Sequence, residues 1–228
     1  MSQPDRQATY DRHVTALRGL IVDWGGVLTS GIADTMAEFA AGDGIDLTIV
    51  RSVLRDWLGE PAADELAVNP IHALERGEIE VSDFEVRLAA RLSGRLDRPV
   101  SAQGLVARMF ARLETAHDMT GLVRRAHKAG LSTALLSNSW GNEYPRESWT
   151  DMFDVVVISG EVGMRKPEAR IYRHAAELLD LPLHECVFVD DIARNIAAAV
   201  ELGMVGVHHR DYATTAAELE ALFGMELA

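Results

Sequence analysis

Apolar positions along the chain fall into two patterns. Short unbroken runs rich in Val, Leu and Ile occur at residues 20–23, 133–136, 155–158, 187–189 and 205–207. They do not alternate with polar residues, so each predicts a strand buried on both faces of a parallel sheet. The segments after them carry apolar residues at helical spacing. Pro167 stands at a predicted first helical position before residues 168–179, and Gly203 follows residues 195–202 as a stop signal. Gly130 likewise ends a predicted helix that begins near Thr120. The repeat of strand and helix predicts a doubly wound α/β fold with its ligand crevice at the carboxyl ends of the strands.

One long interruption separates the first strand from the second, and it reads as helical. Asp46 is placed to cap a helix carrying Leu47, Val50, Leu54 and Leu58 on one face. Asn69-Pro70 opens another, and Ser82-Asp83-Phe84-Glu85 has capping-box spacing before residues 86–92. Helices inserted directly after the first strand would sit over the crevice as a lid. This predicts a helical cap over residues 30–115 and a core of residues 1–29 and 116–228. The alternative is that these helices extend the layer against the sheet.

Composition narrows the chemistry. Of 228 residues, 48% are hydrophobic and 25% charged, enough apolar material for a substantial core. No apolar run approaches the roughly 20 residues that span a bilayer, and residues 1–18 lack the apolar segment of a secretory signal. The single cysteine, Cys186, excludes an internal disulfide and suits a reducing compartment. A soluble, cytoplasmic protein is expected. The net charge of −13 argues against nucleic acid as a partner, because phosphate contacts from Lys and Arg dominate that affinity. A small phosphorylated substrate would need a local cation against this field.

Four strand ends hold polar residues suited to phosphoryl transfer. Asp23 ends the first strand and precedes Gly25-Gly26, which lets the backbone approach a ligand; an Asp there is equally an ordinary turn cap. Ser137-Asn138-Ser139 ends the second, where a hydroxyl and backbone N–H groups can bind a phosphoryl oxygen, although Ser and Asn also form plain turns. Lys166 stands before a predicted helix, against the usual charge preference at a helix N-terminus and suited to an anion there. Asp190 and Asp191 end the fourth strand; adjacent carboxylates repel unless a cation is present, and hard oxygen ligands suit Mg²⁺.

Taken together and in this order, these residues resemble the haloacid dehalogenase superfamily, most of whose members are phosphohydrolases. The stretch SGEVGMRKPEARIY and the stretch VDDIARNIAAAVELGM carry the resemblance most specifically. The DWGGVL start and the LSNSW stretch look like the subgroup containing the N-terminal phosphatase domain of soluble epoxide hydrolase. The resemblance implies a three-layer α/β/α, Rossmann-like core with a helical cap inserted after the first strand. It implies that Asp23 attacks phosphorus to form an aspartyl-phosphate. It also implies that Asp23, the Gly25 carbonyl and Asp191 hold Mg²⁺, with Asp190 beside it or bound through water. Ser137 and Asn138 would contact the phosphoryl group, Lys166 would neutralise its charge, and Asn195 would orient the acidic loop.

The chain departs from the family at Gly25, where most of these phosphatases carry a second Asp that protonates the leaving alcohol and then activates water. Such acid–base assistance is worth about 10²–10⁴-fold. Three readings follow: a slow or specialised phosphatase using water or a cap residue instead; a 2-haloacid dehalogenase, which needs no acid; or a catalytically weak domain that binds a phosphorylated ligand or a protein. Retention of Asp23, Ser137, Lys166 and Asp191 favours the first.

Lesser candidates remain. Residues 75–78 lie between predicted cap helices, where a turn could select substrate or simply be a solvated loop. Trp140 and residues 142–146 should rim the crevice, with Arg146 placed for a second anionic group. Trp24 reads as core, Cys186 as a buried small hydrophobe, and His208-His209 as lacking a metal partner nearby. A monomer or homodimer is expected, Met and Leu on the cap helices offering a dimer surface.

Overall fold

A computed structural model of the chain describes residues 16–58, 69–141 and 144–228. Five strands form one parallel sheet: β1 (Gly19–Val22), β2 (Ser132–Ser137), β3 (Val155–Ile158), β4 (Cys186–Asp190) and β5 (Val205–His208), in the order β3-β2-β1-β4-β5. Four contain the whole run that predicts them, and β1 contains its run except Asp23, which lies just past the strand end. The reason is burial: every residue of β1 and β4 is buried, so neither face demands polar alternation. Leu20 and Val22 pack on one face with α6 (His117–Lys128) and α10 (Tyr212–Phe223), while Ile21 packs on the other with α8 (Ala169–Leu178) and α9 (Ala193–Glu201). The short α7 (Ser159–Val162) follows β3, and the whole is the three-layer α/β/α arrangement.

Topology fixes where a ligand can sit. β1 is central, with β2 hydrogen-bonded on one side and β4 on the other, in register Val22↔Leu135 and Val22↔Val189. The strand order reverses at β1, so the crevice opens beyond its carboxyl end. Residues leaving β1, β2 and β4 at that end are therefore close neighbours.

Between β1 and β2 the chain forms α1 (Ile32–Gly42), α2 (Leu47–Leu58), α3 (Pro70–Glu75), α4 (Val81–Leu96) and α5 (Leu105–Phe110). They share a separate apolar cluster that includes Met36, Phe39, Val53, Ile71, Phe84, Leu92 and Met109. The chain departs and returns side by side: Thr29 and Thr115 form an antiparallel bridge, Ser30 N donates to Glu114 O at 2.7 Å and Ala116 N to Leu28 O at 2.9 Å. Among the described residues no helix is long and apolar enough to cross a membrane.

Local signals held where they were not overridden by tertiary contacts. Asp46 Oδ1 accepts from Thr48 N at 2.8 Å, and Asn69 Oδ1 from Ile71 N at 2.9 Å, as N-caps should. The Ser82 capping box does not form. α4 starts at Val81 with Glu80 at its N-cap, and Glu85 instead accepts from Gly104 N at 3.2 Å and Val106 N at 2.9 Å. That carboxylate satisfies otherwise unpaired donors at the start of α5, a contact no local pattern announces. Pro167 is not the first residue of a helix either: α8 begins at Ala169 with Glu168 at its N-cap.

Candidate active site

The sheet brings the predicted residues to one place. Asp23 follows β1, and its backbone N donates to Val189 O at 2.9 Å, continuing the β1–β4 ladder past the strand end. Its Oδ1 accepts from Trp24 N at 2.7 Å and from Lys166 Nζ at 2.8 Å. Among the described residues none donates to Oδ2. The loop beyond turns tightly: Gly26 has φ 77°, and a Cβ there would lie 2.5 Å from Asp191 Oδ2. Only glycine lets this loop press against that carboxylate. Gly25 is less constrained, since its Cβ would meet Ile32 Cδ1 at 3.4 Å.

Lys166 is 1% exposed and lies between two carboxylates, 2.8 Å from Asp23 Oδ1 and 2.7 Å from Asp190 Oδ2. Asn138 fixes its backbone from both sides: Lys166 N donates to Asn138 Oδ1 at 2.8 Å, and Asn138 Nδ2 donates to Lys166 O at 3.1 Å. Asn195 Nδ2 donates to both oxygens of Asp190 at 3.1 Å, and Ile192 N donates to Asp190 Oδ1 at 2.7 Å. Ser137 Oγ pairs with Tyr144 OH at 3.0 Å. Tyr144 in turn packs edge-on against Trp24, ring centroids 4.8 Å apart.

Electrostatics follow from this crowding. Burial raises the Asp23 carboxyl to about 7, with Asp190 and Asp191 adding to the rise and Lys166 opposing it. Asp191 is raised to about 6, by burial first and then by Asp190. For Lys166 burial works against the charge, but Asp190 and Asp23 outweigh it and hold the ammonium firmly protonated. Three carboxylates against one ammonium leave negative charge uncompensated.

That excess suits a cation. Asp23, Asp190 and Asp191 each present an oxygen within 4.8 Å of the others. Asp191 Oδ1 is buried without a hydrogen-bond partner among the described residues. A divalent ion with a preference for oxygen fits this donor set and would satisfy the orphaned atom. Asp190 differs from the other two, because Lys166, Asn195 and Ile192 already claim its oxygens.

A cavity of about 340 Å³ lies between this cluster and the inserted helices. Asp23, Ser137, Asn138, Lys166, Asp191 and Asn195 contribute its polar end; Ile32, Met36, Leu54, Phe110 and Trp140 give it an apolar wall. Trp24, read from the sequence as core, is half-buried and both packs on the core and lines the cavity. Cys186 is buried as expected. Arg146 pairs with Glu161 outside the cavity, while Asn142 and Glu143 fall outside the described residues.

Contacts that sequence reading missed join the helices to the core. Arg165, 5% exposed, pairs through Nε with Glu75, and Trp140 Nε1 donates to the same carboxylate at 3.2 Å. Arg76 Nη1 pairs with Glu168 at 3.1 Å, and Gly77, at φ 68°, packs so closely that a Cβ would lie 2.5 Å from Gly160 O. Residues 75–78 thus dock the inserted helices on the core, and Glu75 also lines the cavity. His208 Nε2 bonds the Asp191 carbonyl at 2.9 Å, and His209 Nδ1 bonds Thr215 Oγ1 at 2.9 Å.

Known proteins are similar to this chain in sequence and fold. The haloacid dehalogenase-like hydrolase family matches residues 17–203. The sesquiterpene phosphatase astK of Aspergillus oryzae is 31% identical over 219 residues, 92% of this chain and 98% of that protein. The bifunctional epoxide hydrolase 2 of Sus scrofa is 26% identical over 227 residues, covering 93% of this chain but 40% of that longer protein. Among solved structures, a HAD family enzyme of Bacteroides thetaiotaomicron in complex with magnesium and inorganic phosphate superimposes with a TM-score of 0.55 at 19% identity, over 86% of this chain and 95% of that one. The L-2-haloacid dehalogenase RSc1362 does so with a TM-score of 0.59 at 20% identity, over 84% and 86%. At these identities the structural likenesses speak to the fold. With the family matched over most of its length and a full-length relative alongside, the chain belongs to the haloacid dehalogenase-like hydrolases and is an enzyme.

Proposed function

We propose that the enzyme is a Mg²⁺-dependent phosphatase that forms an aspartyl-phosphate on Asp23 and acts on a small phosphate monoester with an apolar alcohol part. The observation that carries this reading is the Asp23 carboxylate: Lys166 and Trp24 N hold Oδ1, while no described donor claims Oδ2. A carboxylate fixed by one oxygen and free at the other is oriented for attack. Lys166 neutralises charge on the nucleophile and on the phosphoryl group, and the Ser137 hydroxyl donates to a phosphoryl oxygen. Asn138 contributes by fixing the Lys166 backbone, and Asn195 by orienting Asp190, which in turn holds Lys166. Catalysis is then mostly positioning and charge neutralisation, as phosphoryl transfer requires.

Asp23, Asp191 and the Gly25 carbonyl would hold Mg²⁺, with Asp190 behind them. When bound, the ion supplies positive charge beside the phosphoryl oxygens. Residues 30–115 serve as a cap domain; the antiparallel bridge between Thr29 and Thr115 supports that boundary, as does the separate apolar cluster of the inserted helices. The apolar wall of the cavity supports a hydrocarbon-like alcohol part, and the sesquiterpene phosphatase relative points the same way. Retention of Asp190 and Asp191 favours phosphoryl transfer over dehalogenation.

The test is hydrolysis of p-nitrophenyl phosphate with and without Mg²⁺, by wild type and by Asp23→Asn. Turnover that needs both the ion and Asp23 supports the reading. Halide release from a 2-haloacid, indifferent to a chelator, would overturn it.

A further inference from the structure

Gly25 leaves the enzyme without the family's usual proton-transfer group, and the geometry points to Glu75 as its replacement. We infer that Glu75 accepts the proton of the water that hydrolyses the aspartyl-phosphate, an assignment that rests on the phosphatase reading above. Asp23 stands at the sheet end of the cavity, so an in-line attack drives the leaving oxygen toward the opposite wall, formed by the inserted helices. The hydrolytic water must then enter from that same side. Beyond Asp23 and Asp191, Glu75 is the one carboxylate among the described residues lining the cavity, and it projects from α3 on the helical side.

Its surroundings suit a fixed base. Glu75 is 5% exposed, and its two oxygens are held separately, one by Trp140 Nε1 at 3.2 Å and the other by Arg165 Nε. A carboxylate offers about four lone-pair sites, so each oxygen retains one for a water proton. Arg165 is itself 5% exposed, so the pair is fixed in place rather than exchanging with solvent.

In this step the water oxygen bonds to phosphorus as the bond from phosphorus to the Asp23 oxygen breaks. The electron pair returns to the Asp23 carboxylate, one water proton passes to Glu75, and the other remains on the released phosphate. Glu75 then loses its proton to solvent as the product leaves. Attack by Asp23 itself needs no base, so losing Glu75 slows the second half-reaction and spares the first when the leaving group is good.

The experiment is a rapid-quench measurement with p-nitrophenyl phosphate and Mg²⁺, comparing wild type, Glu75→Gln and Glu75→Gln with Gly25→Asp. Glu75→Gln should give a burst of about one p-nitrophenol per enzyme, then turnover slowed roughly 10²–10⁴-fold. Phosphate should be trapped on Asp23, seen by mass spectrometry of the quenched protein. Adding Gly25→Asp should shorten the phosphoenzyme lifetime. Wild-type turnover by Glu75→Gln, or slow turnover without a trapped phosphoenzyme, overturns the assignment. If Glu75→Gln shows no cooperative unfolding transition, Glu75→Asp decides. It keeps the charge opposite Arg165 but retracts the base, and trapped phosphoenzyme supports the role while wild-type kinetics overturns it. Wild type lacking Asp23-dependent hydrolysis removes the phosphatase reading and this inference together; intact wild-type hydrolysis with an unaffected Glu75→Gln removes the inference alone.

Discussion

Lys166 Nζ lies 2.8 Å from Asp23 Oδ1 with both side chains almost wholly buried. The same ammonium is 2.7 Å from Asp190 Oδ2, so one cation serves two carboxylates. Removing one partner of a buried pair leaves an uncompensated charge and costs about 3–5 kcal/mol. Lys166→Met should therefore lower the urea unfolding midpoint markedly as well as reduce kcat by roughly 10²-fold or more. Unchanged stability would mean that Asp23 and Asp190 are neutral in the fold, and the charge balance described above would be wrong.

Gly26 tests the acidic cluster from the backbone side. A Cβ at this position would sit 2.5 Å from Asp191 Oδ2, on a residue with φ 77°. Gly26→Ala must displace the Asp191 carboxylate or the loop, with a backbone penalty of about 1–2 kcal/mol. The Mg²⁺ concentration for half-maximal activity should rise at least several-fold, read by titrating the ion at fixed substrate. The Mg²⁺-dependent gain in melting temperature should shrink in parallel, because an ion that binds the folded state less tightly stabilises it less.

His72 gives a pH signature at the junction of the inserted helices and the core. Burial foremost, then the charges of Arg165, Arg76 and Arg194, lower its pKa from 6.5 to about 4. The fold therefore keeps the ring neutral where the unfolded chain would protonate it. Its contribution is fully present above about pH 6.5 and is lost as pH falls toward 4. His72→Gln should flatten the dependence of stability on pH within that window, measured as urea midpoints at several pH values. A slope identical to wild type would show that the ring protonates freely in the folded state.

Much of this was legible in the sequence, for a physical reason. A strand buried on both faces must be apolar throughout, so all five strands stood out, and the polar residue ending each run marked Asp23, Ser137 and Asp190. Lys166 and Asn195 became visible through the motifs around them. Glu75 and Arg165 lie 90 residues apart and meet only because α3 docks against the loop before α8. Tyr144 beside Ser137 is a comparable case, an aromatic placed by packing against Trp24. The Ser82 capping box failed in the same way, since Glu85 found donors on α5 that its own segment could not announce. Local patterns report local satisfaction, and these groups are satisfied at long range.

The apolar wall makes a prediction about substrate. Ile32 lines the cavity beside the Gly25 loop and is only partly buried in the helical core, so changing it disturbs the ligand side most. Each buried CH₂ is worth about 0.8 kcal/mol. Ile32→Ser should lower kcat/KM for octyl phosphate roughly 10-fold or more while leaving glycerol phosphate nearly unchanged. Equal losses on both would mean that the wall does not contact the alcohol part.

Gly25 is open enough to be rebuilt, because a Cβ there would meet Ile32 Cδ1 at 3.4 Å and the position carries no left-handed strain. An Asp at this site would face the leaving oxygen from the nucleophile's own loop. The benefit depends on how much the leaving group needs a proton. A nitrophenolate departs unaided, whereas an alkoxide of high pKa does not. Gly25→Asp should therefore raise kcat/KM for octyl phosphate by roughly 10-fold or more relative to p-nitrophenyl phosphate. A uniform change across both substrates would show that proton delivery to the leaving group does not limit the native enzyme. A loss on both would instead show that the new carboxylate disturbs Asp191 across the loop, which a weaker Mg²⁺ response would reveal.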